Sequence, residues 1–405
     1  MNDNYLLSRQ PIMDRNEKSS AYKLLLRSEQ ARGGDASPSP VEAIIDSLSG
    51  RGAGELFGDR RGVVTVDAEL LMNDLLLTLP CGKIILELRH ELALTGERIE
   101  RCRRLQEAGF GLALVNHRFL PELKEFYQTL DLIGIDLRRT PGEQLRTVVG
   151  SYHQFPGKLF AHEVESRAEF AQCQSLGFDF FQGSFFVKPT TTVKKKLNES
   201  TVSLLRIVQL IMNDADNDLI VRVFQESPAL TYKLLLQANS AAVGARREVD
   251  SVRHAVSLLG RDQIRRWAQM ELLAAGGAQE QETPLVEMAA VRAGFMEHLT
   301  KCHPMLRGFR DAADRAFLAG TLSMLEAIYN IPVESIVEEV ALSDDVRIAL
   351  LHRRGLFGEM LAFAESLERC DFDTARALLV KLKIPHQQML DAQRNSFHWK
   401  SGTTA

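Results

Sequence analysis

Residues 22–26 read YKLLL, within SAYKLLLRSE at 20–29, and residues 232–236 read YKLLL again, within LTYKLLLQAN at 230–239. The flanks decide how the same five residues fold. The first copy lies between Ser19-Ser20 and Arg27 among runs of strand length, so alternation sends Tyr22, Leu24 and Leu26 to one face and Lys23, Leu25 and Arg27 to the other. The second comes after Ser227-Pro228, a helix start with proline in the first turn, and runs into Asn239-Ser240, short polar residues that can satisfy orphan backbone groups at a helix end. One string therefore predicts a strand in the first half and a helix in the second, and it marks no internal repeat.

Outward from these two points the chain has two grammars. Up to about residue 190, short apolar runs (GVVTVD at 62–67, KIILEL at 83–88, GLALVN at 111–116, DLIGID at 131–136, KLFAHEV at 158–164) alternate with amphipathic stretches such as 92–108 and 118–129. With strand-like 4–13 and 20–27 before them and FDFFQGSFF (178–186) after, they predict buried parallel strands in an α/β (β/α)8 barrel, small for that fold. After TTTVKKKLNES (190–200) apolar residues recur at three- and four-residue spacing over 198–213, 217–223, 229–239, 251–258, 261–273, 285–301, 309–328, 344–352 and 355–368. The reading is a barrel over 1–190, a linker at 191–200 and an all-α domain over 201–405, with GGAQEQETP (276–284) as a loop inside it.

Composition narrows the class of function. The 405 residues are 45% hydrophobic and 25% charged, ordinary globular usage, and the net charge of −4 is mixed in sign along the chain. No basic field points to nucleic acid and no polybasic anchor to a membrane. Cys81, Cys102, Cys173, Cys302 and Cys370 stand singly without a C-x-x-C pair, which fits reduced thiols in a cytoplasmic protein. MNDNYLLSRQPIMDRN lacks a basic region followed by an apolar stretch, and no run approaches 18 apolar residues, so neither a signal peptide nor a membrane span is expected.

Six segments in order resemble the motifs of an EAL domain, the barrel that hydrolyses cyclic diguanylate with paired divalent metals. RQPIMDRNEKSSAYKLLLR (9–27) resembles Gln-Pro-Ile followed by Glu-Ala-Leu-x-Arg, and KIILELRHE (83–91) resembles Glu-Leu-Thr-Glu. GLALVNHRF (111–119) stands where Asp-Asp-Phe-Gly belongs, IGID (133–136) at Ile-Lys-Ile-Asp, FAHEVES (160–166) at Ala-Glu-Gly-Val-Glu, and LGFDFFQGSFFVKP (176–189) at the closing Gly-x-x-x-x-Gln-Gly motif. Two-metal hydrolysis needs several oxygen ligands converging on two hard cations, and a cation to orient the attacking water.

Against that pattern Lys23 replaces the glutamate of Glu-Ala-Leu, Asp67 an asparagine, Val115 and Asn116 the aspartate pair, and Gly134 the lysine. His90 and His162 each replace a glutamate, while Gln10, Arg27, Glu87, Asp136, Glu165 and Gln182 match. The resemblance thus implies a site without hydrolysis and without bound metal, in which Lys23 pairs with Glu87 or Asp136 in place of the metal charge. Two alternatives stay open: His90, His162 and Glu87 as a replacement transition-metal site, and Gln10, Arg27 and Gln182 as remaining contacts to phosphate and base of weakly bound cyclic diguanylate.

The second half resembles an HDOD domain, the helical relative of HD phosphohydrolases, in SPALTYKLLLQANSAAVGARREVDSVRHAVSLLGRDQIRRW (227–267) and again over 316–361. Metal-dependent HD enzymes need a His-Asp dipeptide, and the chain has none; His254, His298, His303 and His352 are scattered. Arg246, Arg247, Arg253, Arg261, Arg265 and Arg266 interleave with Glu248, Asp250 and Asp262, which reads as a solvated mixed-charge face rather than a nucleic-acid surface. Together these features imply a non-catalytic bacterial signalling regulator that acts through a protein partner, with homodimerisation through the barrel's rim helices as a further option.

Overall fold

A computed structural model describes residues 5–28, 40–50, 52–140, 142–187, 198–239, 249, 251–275, 284–306, 309, 311–339 and 342–397. Both YKLLL copies fold as their flanks predict: one lies inside the strand Ser19–Ser28, the other inside the helix Pro228–Ala238.

Eight strands close a barrel in chain order: β1 (Tyr5–Asp14), β2 (Ser19–Ser28), β3 (Arg61–Val66), β4 (Ile84–Arg89), β5 (Gly111–Val115), β6 (Leu132–Asp136), β7 (Lys158–Val164) and β8 (Phe180–Gly183). β2 to β8 are parallel as predicted. β1 departs from the (β/α)8 pattern by running antiparallel to both neighbours. The cause is local. Asp14 Oδ1 accepts the amides of Asn16 and Lys18 at 2.8 and 3.0 Å, closing a tight turn that can join only antiparallel strands. A hairpin thus takes the place of one crossover unit.

The interior is layered by the two-residue period of the strands. One residue per strand (Ile12, Ala21, Val63, Ile85, Ala113, Leu132, Phe160 and Phe180) fills the apolar floor. Two residues nearer the strands' mouth ends, the same face carries Gln10, Lys23, Thr65, Glu87, Val115, Gly134, His162 and Gln182. Alternation alone therefore delivers six of the eleven candidate site residues to one ring.

β1 meets β8 at Met13↔Phe181 and Asp14↔Phe180, and over residues 5–12 this edge has no strand partner among the described residues. C-terminal residues cover it. His386 Nε2 lies 2.5 Å from the Tyr5 carbonyl, Gln393 Nε2 donates to Leu7 O at 2.8 Å, and Arg394 donates to the Tyr5 hydroxyl at 3.1 Å. Covering an edge in this way satisfies carbonyls that would otherwise be buried unpaired. The chain accordingly divides into one compact unit of residues 1–188 with 365–377 and 385–394, and a second of 189–364 with 378–384 and 395–405. Residues 365–377 and 385–394 of the expected helical domain of 201–405 thus fall in the barrel's unit. The expected linker lies, up to residue 197, outside the described residues.

The second unit is built of helices, with no strand among the described residues. The predicted pair 251–258 and 261–273 forms one run, Val252–Ala275, broken at Gly260 by φ 74° and ψ 165°. The predicted 309–328 is split into Ala312–Leu322 and Leu325–Tyr329. Val333–Glu339 is a further helix of this unit that the sequence reading leaves out; it also leaves out Phe372–Leu382 and His386–Phe397, most of whose residues belong to the first unit. Asn239, at the end of the helix that holds the second YKLLL, ties that helix end to Val249: its side chain donates to Leu235 O and Val249 O, both at 2.9 Å, and accepts from Val249 N at 2.6 Å. Of the expected loop 276–284, only Pro284 is among the described residues.

Candidate functional site

Lys23 sits at the centre of the mouth ring. Its Nζ lies 2.8 Å from both carboxylate oxygens of Glu87, and Thr65 donates to Oε1 of the same carboxylate at 3.0 Å. Glu87 is fully buried and Lys23 nearly so. Burial by itself would raise the Glu87 pKa, but the Lys23 ammonium beside it and the hydrogen bonds it receives hold it below the ordinary carboxylate value. The pair is a closed unit: a buried cation with two contacts on a buried anion.

His162 stands next to it, Nε2 3.8 Å from Glu87 Oε2, with its ring 3.9 Å from that of Phe160 between centroids. Burial, reinforced by the Lys23 charge, pulls its pKa down to about 3, so the imidazole is neutral. Its Nε2 is buried without a hydrogen-bond partner among the described residues. Gly134 lies against the same ring: a Cβ there would fall 2.7 Å from Val115 Cγ2 and 3.0 Å from His162 Nε2. The space a longer side chain would need at 134 is filled.

The remaining acids are each engaged locally. Asp67 caps the helix Ala68–Met72 by accepting from Leu70 N at 2.8 Å. Asp136 accepts from Arg138 N at 2.9 Å, and its own amide donates to Asn116 Oδ1 at 2.6 Å. Glu165 is held by Arg138 at 2.6 and 2.9 Å. His90 lies beyond the end of β4, hydrogen-bonded to Arg139 at 2.6 Å and 2.9 Å from Glu91. The trio His90, His162 and Glu87 is therefore not assembled, and among the described residues no three His, Cys, Asp or Glu side chains come together as metal ligands would.

The β1–β2 rim is covered by the same unit's C-terminal residues. Gln10 accepts from Gln182 at 2.6 Å and donates to Glu368 O at 3.3 Å. Cys370 lies 3.3 Å from Ser8 Oγ, and Asp373 lies 3.6 Å from Arg27. The sequence reading missed this cover. Nothing in the periodicity of 365–377 distinguishes a helix turn that packs on a barrel from one that does not.

In the helical unit the basic cluster is interleaved with acids in space as in sequence: Arg253 with Asp218 at 2.5 Å, Arg261 with Asp214 at 3.6 Å, Arg266 with Glu297 at 3.5 Å. Arg265 corrects the solvated-face reading, since it is buried and paired with Asp314 at 2.6 Å. Arg246 and Arg247 lie outside the described residues. Of the histidines, His298 bonds the Gly294 carbonyl at 2.7 Å and His303 accepts from Met305 N at 3.2 Å, both local roles. No helix among the described residues is long and apolar enough to cross a membrane.

Comparison with known proteins gives one family match and two relatives that cover nearly the whole chain. The HDOD domain family matches residues 190–329. A Vibrio cholerae protein named cyclic di-GMP phosphodiesterase CdgJ is 26% identical over 403 residues, covering 96% of this chain and 91% of the relative. The uncharacterized protein YuxH of Bacillus subtilis is 25% identical, covering 92% of each. A solved EAL-domain protein from Listeria monocytogenes is 18% identical with a TM-score of 0.36, covering 45% of this chain and 87% of that one. An eight-strand barrel thus carries the segments that resemble EAL motifs, the HDOD domain family matches the residues that follow it, and the chain is similar over nearly its whole length to a protein named a cyclic di-GMP phosphodiesterase.

Proposed function

We propose that this chain is a non-catalytic EAL–HDOD regulator in cyclic diguanylate signalling, acting through contacts with a protein partner. The observation that carries the reading is Lys23 Nζ at 2.8 Å from both oxygens of Glu87. An ammonium there neutralises the carboxylate that a divalent cation would need, and Asp67, Asp136 and Glu165 are tied to local donors. The similarity to CdgJ, a named phosphodiesterase, supports the pathway; the absence of carboxylates at Val115 and Asn116 and of the amine at Gly134 argues against the same chemistry here.

The test is chromatographic detection of linear product from cyclic diguanylate, with magnesium and with manganese. No turnover above buffer is expected. Turnover that Glu87→Ala abolishes would overturn the proposal. Calorimetry with the same nucleotide, with and without metal, separates a receptor from a regulator that ignores it.

A further inference from the structure

In the second unit a groove of about 840 Å³ opens where four helices meet: the end of Glu199–Met212, the middle of Val252–Ala275, the end of Pro284–Cys302 and the start of Ala312–Leu322. All of its lining residues belong to that unit. Its buried charges are paired with one another. Arg265 is held by Asp314 at 2.6 Å, and Glu297 takes Lys301 at 2.7 Å and Arg266 at 3.5 Å. Arg265 and Glu297 are both buried, so these pairs make a rigid base.

The lip is different. Five carboxylates and four cations line the groove, and the most exposed of the nine are acids: the side chains of Asp214 and Asp262 are 99% and 90% exposed, and Asp311 is exposed too. Their cations are turned inward. Arg261, 3.6 Å from Asp214, is only partly exposed, and Arg265, 3.6 Å from Asp262, is buried. Arg266 and Lys301 reach the surface, but both converge on Glu297. A molecule that approaches the lip meets carboxylate first, which favours a cation.

An apolar pair stands beside this lip. Lys301 and Asp311 line the groove, and the chain between them carries Met305 and Phe309, 75% and 63% exposed. Backbone bonds fix this stretch: Leu306 N donates to His303 O at 3.1 Å, Phe309 N to Leu306 O at 3.1 Å and Ala312 N to Phe309 O at 3.2 Å. Met305 N also donates to Nδ1 of His303, which is buried. One exposed apolar side chain needs no explanation. Two of them four residues apart, in an ordered turn next to a charged groove, have the make-up of an interface, an apolar anchor with a polar surround.

We propose that this groove and the Met305–Phe309 turn are the docking surface for the protein partner, and that the partner presents an amphipathic segment. Its lysine or arginine side chains meet Asp214, Asp262 and Asp311, and its apolar face covers Met305 and Phe309. The charges steer and set the register, and the apolar contacts set the residence time. This rests on the regulator reading for the existence of a partner and adds its place and chemistry.

Peptides selected from a random displayed library on the full chain, then synthesised and titrated by fluorescence anisotropy, test the surface. They should combine Lys or Arg with large apolar residues, and their affinity should fall as salt is raised. Phe309→Ser should weaken them by about tenfold, the scale of an interface anchor, with Met305→Ser as the substitute should Phe309→Ser fold poorly. Asp262→Lys should weaken them by a similar factor, while Tyr232→Ser, at an exposed ring on the helix Pro228–Ala238, should change nothing. The proposal is overturned if no peptide is recovered, if the recovered peptides are acidic, if Phe309→Ser and Asp262→Lys leave affinity unchanged, or if Tyr232→Ser weakens binding as much as they do. Turnover of cyclic diguanylate by a chain whose peptides obey this pattern would overturn the regulator reading and leave the surface standing. No turnover, with peptides indifferent to these substitutions, would do the reverse.

Discussion

Gly134 and His162 occupy one space. A Cβ at 134 would sit 3.0 Å from His162 Nε2, so the missing lysine and the added histidine are a matched pair rather than two separate losses. Each makes room for, or fills the room left by, the other. Close-packed interiors couple neighbouring changes in this way.

Gly134→Lys alone should therefore destabilise the protein by about 1–3 kcal/mol, the range for overpacking a filled site. Combined with His162→Glu and Val115→Asp, it should cost less than the sum of the single changes. Urea denaturation of the singles and the combination measures the coupling. Strict additivity would mean that the site relaxes freely and the pairing is accidental.

Activity should not return with a single reversion. Lys23→Glu brings a second carboxylate beside buried Glu87 while the acids at 115 and 116 and the lysine at 134 stay missing, and groups that act as a unit do not add. The smallest set with a prospect of turnover is Lys23→Glu, Val115→Asp, Asn116→Asp, Gly134→Lys and His162→Glu. Turnover from Lys23→Glu alone, read by product chromatography, would show that the metal ligands lie elsewhere in the chain.

Much of this site was legible because period-two alternation is geometric. Once 20–27 is a strand, Lys23 points inward, and the strand spacing places Glu87, Gly134, His162 and Gln182 in its ring. Which acid Lys23 meets was not legible, since Glu87 and Asp136 both end interior faces and only packing distinguishes them. The open alternative that joins His90 to His162 is not assembled because His90 comes after β4 in a turn, where alternation no longer dictates direction. The cover on β1 was invisible for a different reason. It consists of side chains such as Gln393 and His386 bonding backbone carbonyls some 380 residues away in sequence, and such bonds leave no periodic trace.

The buried ion pair predicts an asymmetry in stability. Lys23→Met leaves Glu87 buried without its cation and should cost about 3–5 kcal/mol, whereas Lys23→Met with Glu87→Leu should return to wild-type stability or above it. Midpoints in urea at neutral pH decide the matter. A double variant no more stable than the single would show that Thr65 and the neighbouring histidine, rather than Lys23, hold the carboxylate.

His162 sets a pH window. Its pKa falls from 6.5 in the unfolded chain to about 3 in the folded one, so between these values the unfolded state holds a proton that the folded state lacks. Stability should therefore decline as pH falls through that window, by at most about 1.4 kcal/mol per pH unit from this group. His162→Asn should flatten the decline between pH 6.5 and 5 in urea titrations. An unchanged slope would place the titrating group elsewhere.

The edge of β1 gives the last prediction. Tyr5, Leu6, Leu7 and Ser8 are all buried, yet over this stretch β8 supplies no partner, and the Leu7 carbonyl relies on Gln393. Gln393→Ala leaves that carbonyl in a buried setting without its donor, which should cost about 1–3 kcal/mol. The effect should be local before it is global: amide exchange should quicken in β1, where the cover loosens, and in 385–394, but not in the helix Pro284–Cys302 of the second unit. Exchange that quickens equally in both units would mean that Gln393 supports the fold as a whole, and that the C-terminal residues are not a separable cover on the barrel.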